Sequence, residues 1–330
     1  MTNSSLPADC LIWDAHSCAP LHPDYDLAKV RRHLDAGASF VSLNIGMDMN
    51  PVAQVMQVLA SFRAQIAEHP DLFMLATNVA AVDEAKATGR LAIGFDLEGA
   101  VPLMERPEMV QTFYDLGVRQ IHLAYNRNNS VACGCYDVDG PLTDLGRDIV
   151  RAIYAAGMLM DCSHTGRRCS LDIMELGLGP VFFSHANPMS VRTDNRNIDV
   201  EQMRKAAETG GVICVNGVGR FLRDPAATTE TLIEALEVMI DVVGPAHVGL
   251  GIDYEYDDGG LPQLPADVDR RYWWPAAHGY GPNGVRGIKI ARPEQLREIG
   301  EGLLARGHCL EDVRGIMGLN MRRLASTVWQ

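Results

Sequence analysis

The sequence predicts an α/β fold, a single-domain (β/α)8 TIM barrel spanning residues 1–330, on three observations. Eight short apolar runs bounded by turn residues alternate with helix-length segments, the pattern of parallel strands joined by crossover helices. The chain has 330 residues, and a barrel of this kind needs about 250 and tolerates insertions. Two neighbouring runs, LMDC and VFF, lead into Ser163-His164 and Ser184-His185. Both histidines then lie at the carboxyl ends of adjacent parallel strands, where α/β sheets place chemistry. The competing architecture for the same pattern is a doubly wound open sheet.

Taken in order, residues 11–14 form the first strand, which runs into Ala15-His16-Ser17-Cys18-Ala19-Pro20, and Pro20 forbids a simple continuation of the ladder. A helix over 26–36 is closed by Gly37. The second strand covers 39–45, and Pro51 opens a long amphipathic helix to residue 69. Residues 73–79 read as a short extra strand, followed by a helix ending at Gly89. The third barrel strand, 91–97, is followed at once by Glu98 and Gly99. After a helix over 107–117, the fourth strand covers 121–125 and enters a polar loop, 126–141. Thr143 caps a helix that ends at Gly157. Strands at 159–162, 181–183, 211–216 and 247–253 complete the eight. Residues 254–287 have no periodicity and are rich in Gly, Pro and aromatics. A long structureless segment starting at the catalytic face reads as a substrate lid or pocket wall, with a dimer contact as the alternative. Helices over 293–306 and 310–326 close the chain.

The net charge of −13 and the absence of a basic patch exclude nucleic acid and anionic membrane surfaces as partners. The amino-terminal residues carry no signal-peptide pattern, and no uncharged apolar run reaches about 18 residues. The expected location is the cytoplasm. There, of the eight cysteines, the several inside strands or at strand ends are most simply buried small apolar residues. Cys133-Gly-Cys135 lacks the two-residue spacer of a zinc ribbon and reads as a loop.

The strand ends collect His16, Cys18, Glu98, His164, His185 and Asp253 on one rim. Imidazoles, a thiol and carboxylates converging in this way form a set of donors for a divalent metal, of types suited to zinc. If Glu98 bridges, two ions about 3.5 to 4 Å apart could share a hydroxide for attack on a carbonyl, with Asp253 moving the proton. The remaining histidines, at positions 22, 33, 69, 122, 247, 278 and 308, read as structural, His278 least securely.

These residues resemble the membrane (renal-type) dipeptidases, peptidase family M19, along almost the whole chain. Asp14-Ala15-His16 resembles the family's Asp-Gly-His start and Leu97-Glu98-Gly99 its Ile-Glu-Gly. LTDLG at 142–146, the segment 160–164 and Phe183-Ser184-His185 are similar to its Leu-Thr-Asp-Phe-Gly, Val-Asp-Leu-Ser-His and Phe-Ser-His. Arg196-Asn197 and the segment 249–253 match two further motifs. The resemblance implies a homodimeric barrel holding two Zn2+ ions bridged by Glu98. One ion would take His164 and His185, the other His16 and the residue two positions on. Arg196 would bind the substrate carboxylate through its guanidinium fork, and Asp253 would be the acid/base beside the substrate amine.

Two positions depart from the family. Its second ligand on strand 1 is an aspartate, and here it is Cys18. A thiolate can bind zinc, but an inert thiol beside a half-filled or empty site fits equally. Tyr125 stands where the family has an oxyanion-stabilising histidine, and a phenol can donate to an oxyanion. The expected activity is therefore zinc-dependent hydrolysis of an amide in a dipeptide or similar small substrate with a free carboxylate, with Glu98, Tyr125 and Asp253 catalytic. The alternative is a divergent member with a reduced metal site that binds a small ligand or performs another reaction. An amidohydrolase barrel of the other type would need His-X-His on strand 1, which His16-Ser17-Cys18 does not supply.

Overall fold

The computed structural model describes residues 5–257, 259–260 and 264–329. Its barrel strands are β1 (Trp13–Cys18), β2 (Phe40–Met47), β3 (Leu91–Glu98), β4 (Val118–His122), β5 (Leu159–Asp161), β6 (Val181–Phe182), β7 (Ile213–Asn216) and β8 (Val248–Gly251). They run parallel in the order β6-β5-β4-β3-β2-β1-β8-β7. Phe183 closes the ring: it bridges in parallel to Ile213, donating to the Val212 carbonyl at 3.0 Å and accepting from the Cys214 amide at 2.8 Å. The sheet is thus a barrel and not an open doubly wound sheet.

Helices cover the outside, so strand residues are buried on both faces; in β3 every residue is buried. The period-2 alternation sorts what each face carries. Phe95 and Leu97 join the large apolar layer beneath the helices. On the opposite face of β3, Asp96 and Glu98 point inward, meeting Ser42 and Asn44 of β2. The interior is therefore stratified. Its amino-terminal end is an apolar floor in which Trp13, Phe40, Leu159, Phe182 and Trp329 cluster, with Trp13 and Phe40 stacked at 3.8 Å. Its carboxyl-terminal end is polar.

Several boundaries differ from the sequence reading. β1 continues to Cys18 rather than ending at residue 14, so His16 lies within the strand. The β1–β2 register shifts between Asp14 and Ser17. Such an irregularity changes which residues face inward. Trp13 and Ala15 join the floor, yet His16 and Cys18 reach the rim. β4 lies three residues earlier than expected because buried polar groups hid it. The Arg119 guanidinium is satisfied by the carbonyls of Thr77, Tyr114 and Val118, and Gln120 donates to the Ala15 carbonyl. The accessory strand is only Phe73–Leu75, since Asn78 caps a helix over Val79–Ala87. The closing helix breaks into Leu310–Arg314, a π turn at Gly315–Leu319 and Asn320–Val328. There Gly318 packs so closely on the Leu11 carbonyl that a Cβ would collide with it.

The segment 254–287 is not structureless. Tyr254–Glu255 pairs with β1, and Arg270–Trp273 and Ala276–His278 form helical turns. Residues 258 and 261–263 of it lie outside the described residues. Among the described residues no helix is long and apolar enough to cross a membrane.

At the end of β3, Gly99 has φ +125°, and a Cβ there would strike the Asp48 carboxylate. That carboxylate accepts from the amides of Val101 and Tyr125 and from Asn129, tying together three loops of the rim. Gly99→Ala is expected to cost about 3 kcal/mol of folding stability, combining strain with displacement of a bonded group. Urea unfolding measures it, and a loss below about 1 kcal/mol would mean the rim yields easily.

Candidate metal centre

Strand ends place the donors and hydrogen bonds aim them. His16 directs Nδ1 at Asp96, 3.2 Å away. His164 directs Nδ1 at Asn126 Oδ1, 2.7 Å away, and Asn126 Nδ2 donates to the Trp273 carbonyl, which sets the amide's orientation. The Nδ1 of His185 lies 2.6 Å from Ser184 Oγ, whose own proton goes to Asp161. Each partner can only accept from the ring, so Nδ1 carries the hydrogen in all three. The Nε2 atoms are left to face inward.

They converge. The Nε2 atoms of His164 and His185 are 2.9 Å apart, and His164 Nε2 is 3.2 Å from Glu98 Oε2. His16 Nε2 is 3.5 Å from Glu98 Oε1 and 3.5 Å from Cys18 Sγ. Two overlapping donor groups result, His16–Cys18–Glu98 and Glu98–His164–His185, each with atoms within 4.8 Å of one another. A third, His16–His185–Asp253, lies between them. Burial, reinforced by the nearby Arg196 cation, holds the His164 imidazole well below its ordinary pKa. Burial and His16 do the same to His185. Two neutral rings with lone pairs facing at that distance repel, and a cation between them removes the repulsion. The donor set therefore fits divalent metal, and His16, Cys18, His164 and His185 would hold it with Glu98 common to both groups.

The carboxylates are tuned to match. Burial opposes charge on Glu98, but His16 and His164 outweigh it and hold the carboxyl well below its usual range. Asn44 donates to Glu98 Oε1, the oxygen nearer His16, leaving Oε2 for His164 and His185. Asp253 is pushed up to about 6 by burial, with His16 opposing and Glu98 adding to the shift. Its Oδ2 is held by Asn216 at 3.0 Å while Oδ1 faces His16 Nε2 at 3.7 Å. Burial raises the Cys18 thiol well above its ordinary value, so a metal ion is what would make it a thiolate. Tyr125 stacks on His164 with centroids 4.4 Å apart. Burial, with Glu98 nearby, keeps its phenol protonated and able to donate. Asn126, His164 and Asp253 all adopt φ near +60°, strain concentrated on residues that aim or contribute donors.

Arg196 is buried and does not line the cavity that reaches Cys18, Glu98 and Asp253. Its Nη2 donates to the His185 carbonyl at 3.0 Å, and its Nε has no partner among the described residues. Sequence reasoning brought together His16, Cys18, Glu98, His164, His185 and Asp253, and the structure places all six on one rim. It missed Asn44, Asp96, Asn126, Asp161 and Asn216, which hold them. For Asp96 the signal was present, two residues before Glu98 and so on the same face. His122, read as structural, sits with its ring 5.1 Å from that of His164 and its Nε2 without a partner among the described residues. Cys133 and Cys135 belong to a loop and to none of the donor groups among the described residues.

Fold and donors together define a class: α/β barrels whose carboxyl rim gathers imidazole and carboxylate donors suited to divalent metal. The family model for membrane dipeptidase, peptidase family M19, matches residues 11–271. The chain belongs to that family. It is 28% identical over 242 residues to an uncharacterized dipeptidase of Schizosaccharomyces pombe, covering 72% of this chain and 58% of that one. It is 27% identical over 256 residues to the dipeptidase ataJ of Aspergillus terreus, covering 66% and 62%. The chain thus spans a little over half the length of the curated relatives it matches first. An amidohydrolase from Pseudomonas aeruginosa shares the fold with a TM-score of 0.84 at 24% identity, over 98% of this chain and 97% of that one. So does a metallopeptidase from Rhodobacter sphaeroides solved with a phosphinate mimic of L-Ala-D-Ala, at 0.78 and 17% identity, over 97% and 99%.

Asn126→Ala removes the group that fixes the His164 ring. Zinc affinity, measured by competition with a chromophoric chelator, is expected to fall about ten- to a hundredfold with the fold intact. Unchanged affinity would show that His164 is held by stacking alone.

Proposed function

We propose that this chain hydrolyses the amide bond of a dipeptide, or of a similar small amide with a free carboxylate, and that it does so with two zinc ions. The observation that carries the reading is the convergence of three buried imidazole Nε2 atoms on Glu98, with Asp253 beside them and Arg196 lining the adjoining cavity that His164 shares. His164 and His185 would hold one ion, His16 and Cys18 the other, and Glu98 both. Bound there, the ions would polarise the scissile carbonyl and acidify a water.

The chain's own groups do the rest. Arg196, with a donor unspent, would take the substrate carboxylate. Asp253, anchored through Oδ2, would use Oδ1 to accept the water's proton and return it to the leaving nitrogen. Tyr125, kept as a phenol against His164, would donate to the oxyanion. Stripping the protein with chelator is expected to abolish dipeptide hydrolysis and zinc to restore it. Tyr125→Phe should lower kcat by about 10²–10³ with metal content unchanged, and Asp253→Asn by about 10²–10⁴. If Tyr125→Phe is fully active, the phenol has no part in the reaction.

The raised Cys18 thiol favours a second reading, a divergent member whose strand-1 site is weakened and whose pocket binds a ligand or performs another reaction. Elemental analysis of protein purified without chelator separates the two: about two zinc ions per chain support the hydrolase, one or none the alternative. In the weakened-site case Cys18→Asp should raise dipeptidase activity.

A further inference from the structure

His164 lines two cavities. The larger, of about 920 Å³ including its mouth, reaches Cys18, Glu98 and Asp253. The smaller, of about 660 Å³, reaches Arg196. A dipeptide carries an ammonium at one end and a carboxylate at the other. The carboxylates Asp253 and Glu255 of the larger cavity suit the ammonium, and its one cation among the described residues, Arg270, has Glu255 beside it. Arg196 suits the carboxylate. The amino-terminal residue then projects its side chain into the larger cavity.

What that side chain would meet is apolar. Val218, Phe221, Leu264, Trp274, Tyr280 and Ile290 line the cavity. Except for the partly buried Ile290, they are buried members of a hydrophobic cluster separate from the barrel core, and Ile290 packs against it. The wall is fixed by the backbone. Val218 bridges to Ile290, the Gly219 amide donates to the Lys289 carbonyl at 2.8 Å, and the Ala291 amide donates to the Gly217 carbonyl at 2.8 Å. Tyr280 is pinned by Tyr136 at 2.9 Å and lies beneath the Arg220 guanidinium at 4.0 Å, while Arg220 is itself tied to Asp194 at 2.9 Å. Asn126, Glu255 and Arg270 also line the cavity, but a polar side chain lying against this apolar wall would give up its water for little in return, whereas an apolar one exchanges water for a preformed surface.

We infer that the protein selects substrates whose amino-terminal residue carries a bulky apolar side chain, such as leucine or phenylalanine, with Val218, Phe221, Leu264, Trp274, Tyr280 and Ile290 as the selecting wall. The inference rests on the dipeptidase reading for the substrate's frame. It is tested with zinc-loaded protein by comparing kcat/KM for Leu-Gly and Phe-Gly with that for Gly-Gly and Asp-Gly. The expected preference is on the order of a hundredfold for the bulky pair. Trp274→Ala should shrink the Leu-Gly to Gly-Gly ratio by about tenfold, mainly through KM, and Trp274→Phe should largely restore it. Hydrolysis with no such preference, or with Asp-Gly favoured, overturns the inference while leaving the dipeptidase reading standing. If no dipeptide is cleaved, that reading fails, and calorimetry with phosphinate dipeptide mimics bearing an amino-terminal isobutyl or methyl side chain decides the inference alone. Tighter binding of the isobutyl mimic supports it, and equal binding overturns it.

Discussion

A buried carboxylate with imidazoles on both sides is the constraint on which the upper half of this barrel depends. Glu98 sits 3% exposed at the end of β3, where an isolated charge would be prohibitively costly. What surrounds it is a donor amide and imidazole edges that would complement it with a cation between them. Asn44 donates to one oxygen, His164 and His16 approach from opposite sides, and each of the ligand-type rings is turned by an acceptor behind it. The polar interior layer of Ser42, Asp96 and Asn44 exists to support that arrangement. A conventional packed barrel interior would fill the same space with branched apolar side chains.

Legibility followed the same division. The strands were readable because both faces are buried, which makes them continuous apolar runs, and the donors were readable because they fall where those runs stop. β4 was misplaced because Arg119 and Gln120 look like surface residues until their carbonyl partners are known. The rim position of His16 and Cys18 depends on the irregular pairing between Asp14 and Ser17, a matter of register that composition does not record. The groups that orient the rings come from elsewhere in the chain. Asn126 is 38 residues from His164, and nothing local marks it as that ring's partner. Nor does any local feature mark the left-handed backbone at Asn126, His164 and Asp253.

The two sides of His164 give the site its economy. One ring face stacks on Tyr125, the Nδ1 edge is fixed by Asn126, and the Nε2 edge points to Glu98. Asn126 in turn donates to the Trp273 carbonyl, and Tyr125 lies 6.2 Å from both Trp273 and Trp274. The aromatic wall of the larger cavity is thereby linked mechanically to the His164 ring, so a ligand that moved this wall would also disturb the donor set.

The apolar floor has a bearing on how the molecule is assembled. Trp13, from the first strand, and Trp329 lie with ring centroids 5.7 Å apart, and the last helical segment contributes Met321 and Leu324 to the same cluster. The plug beneath the donor residues joins β1 to Trp329. Sealing the foundation of the rim therefore requires a contact of very large sequence separation, the kind of pairing that slows folding relative to a topology built on local contacts.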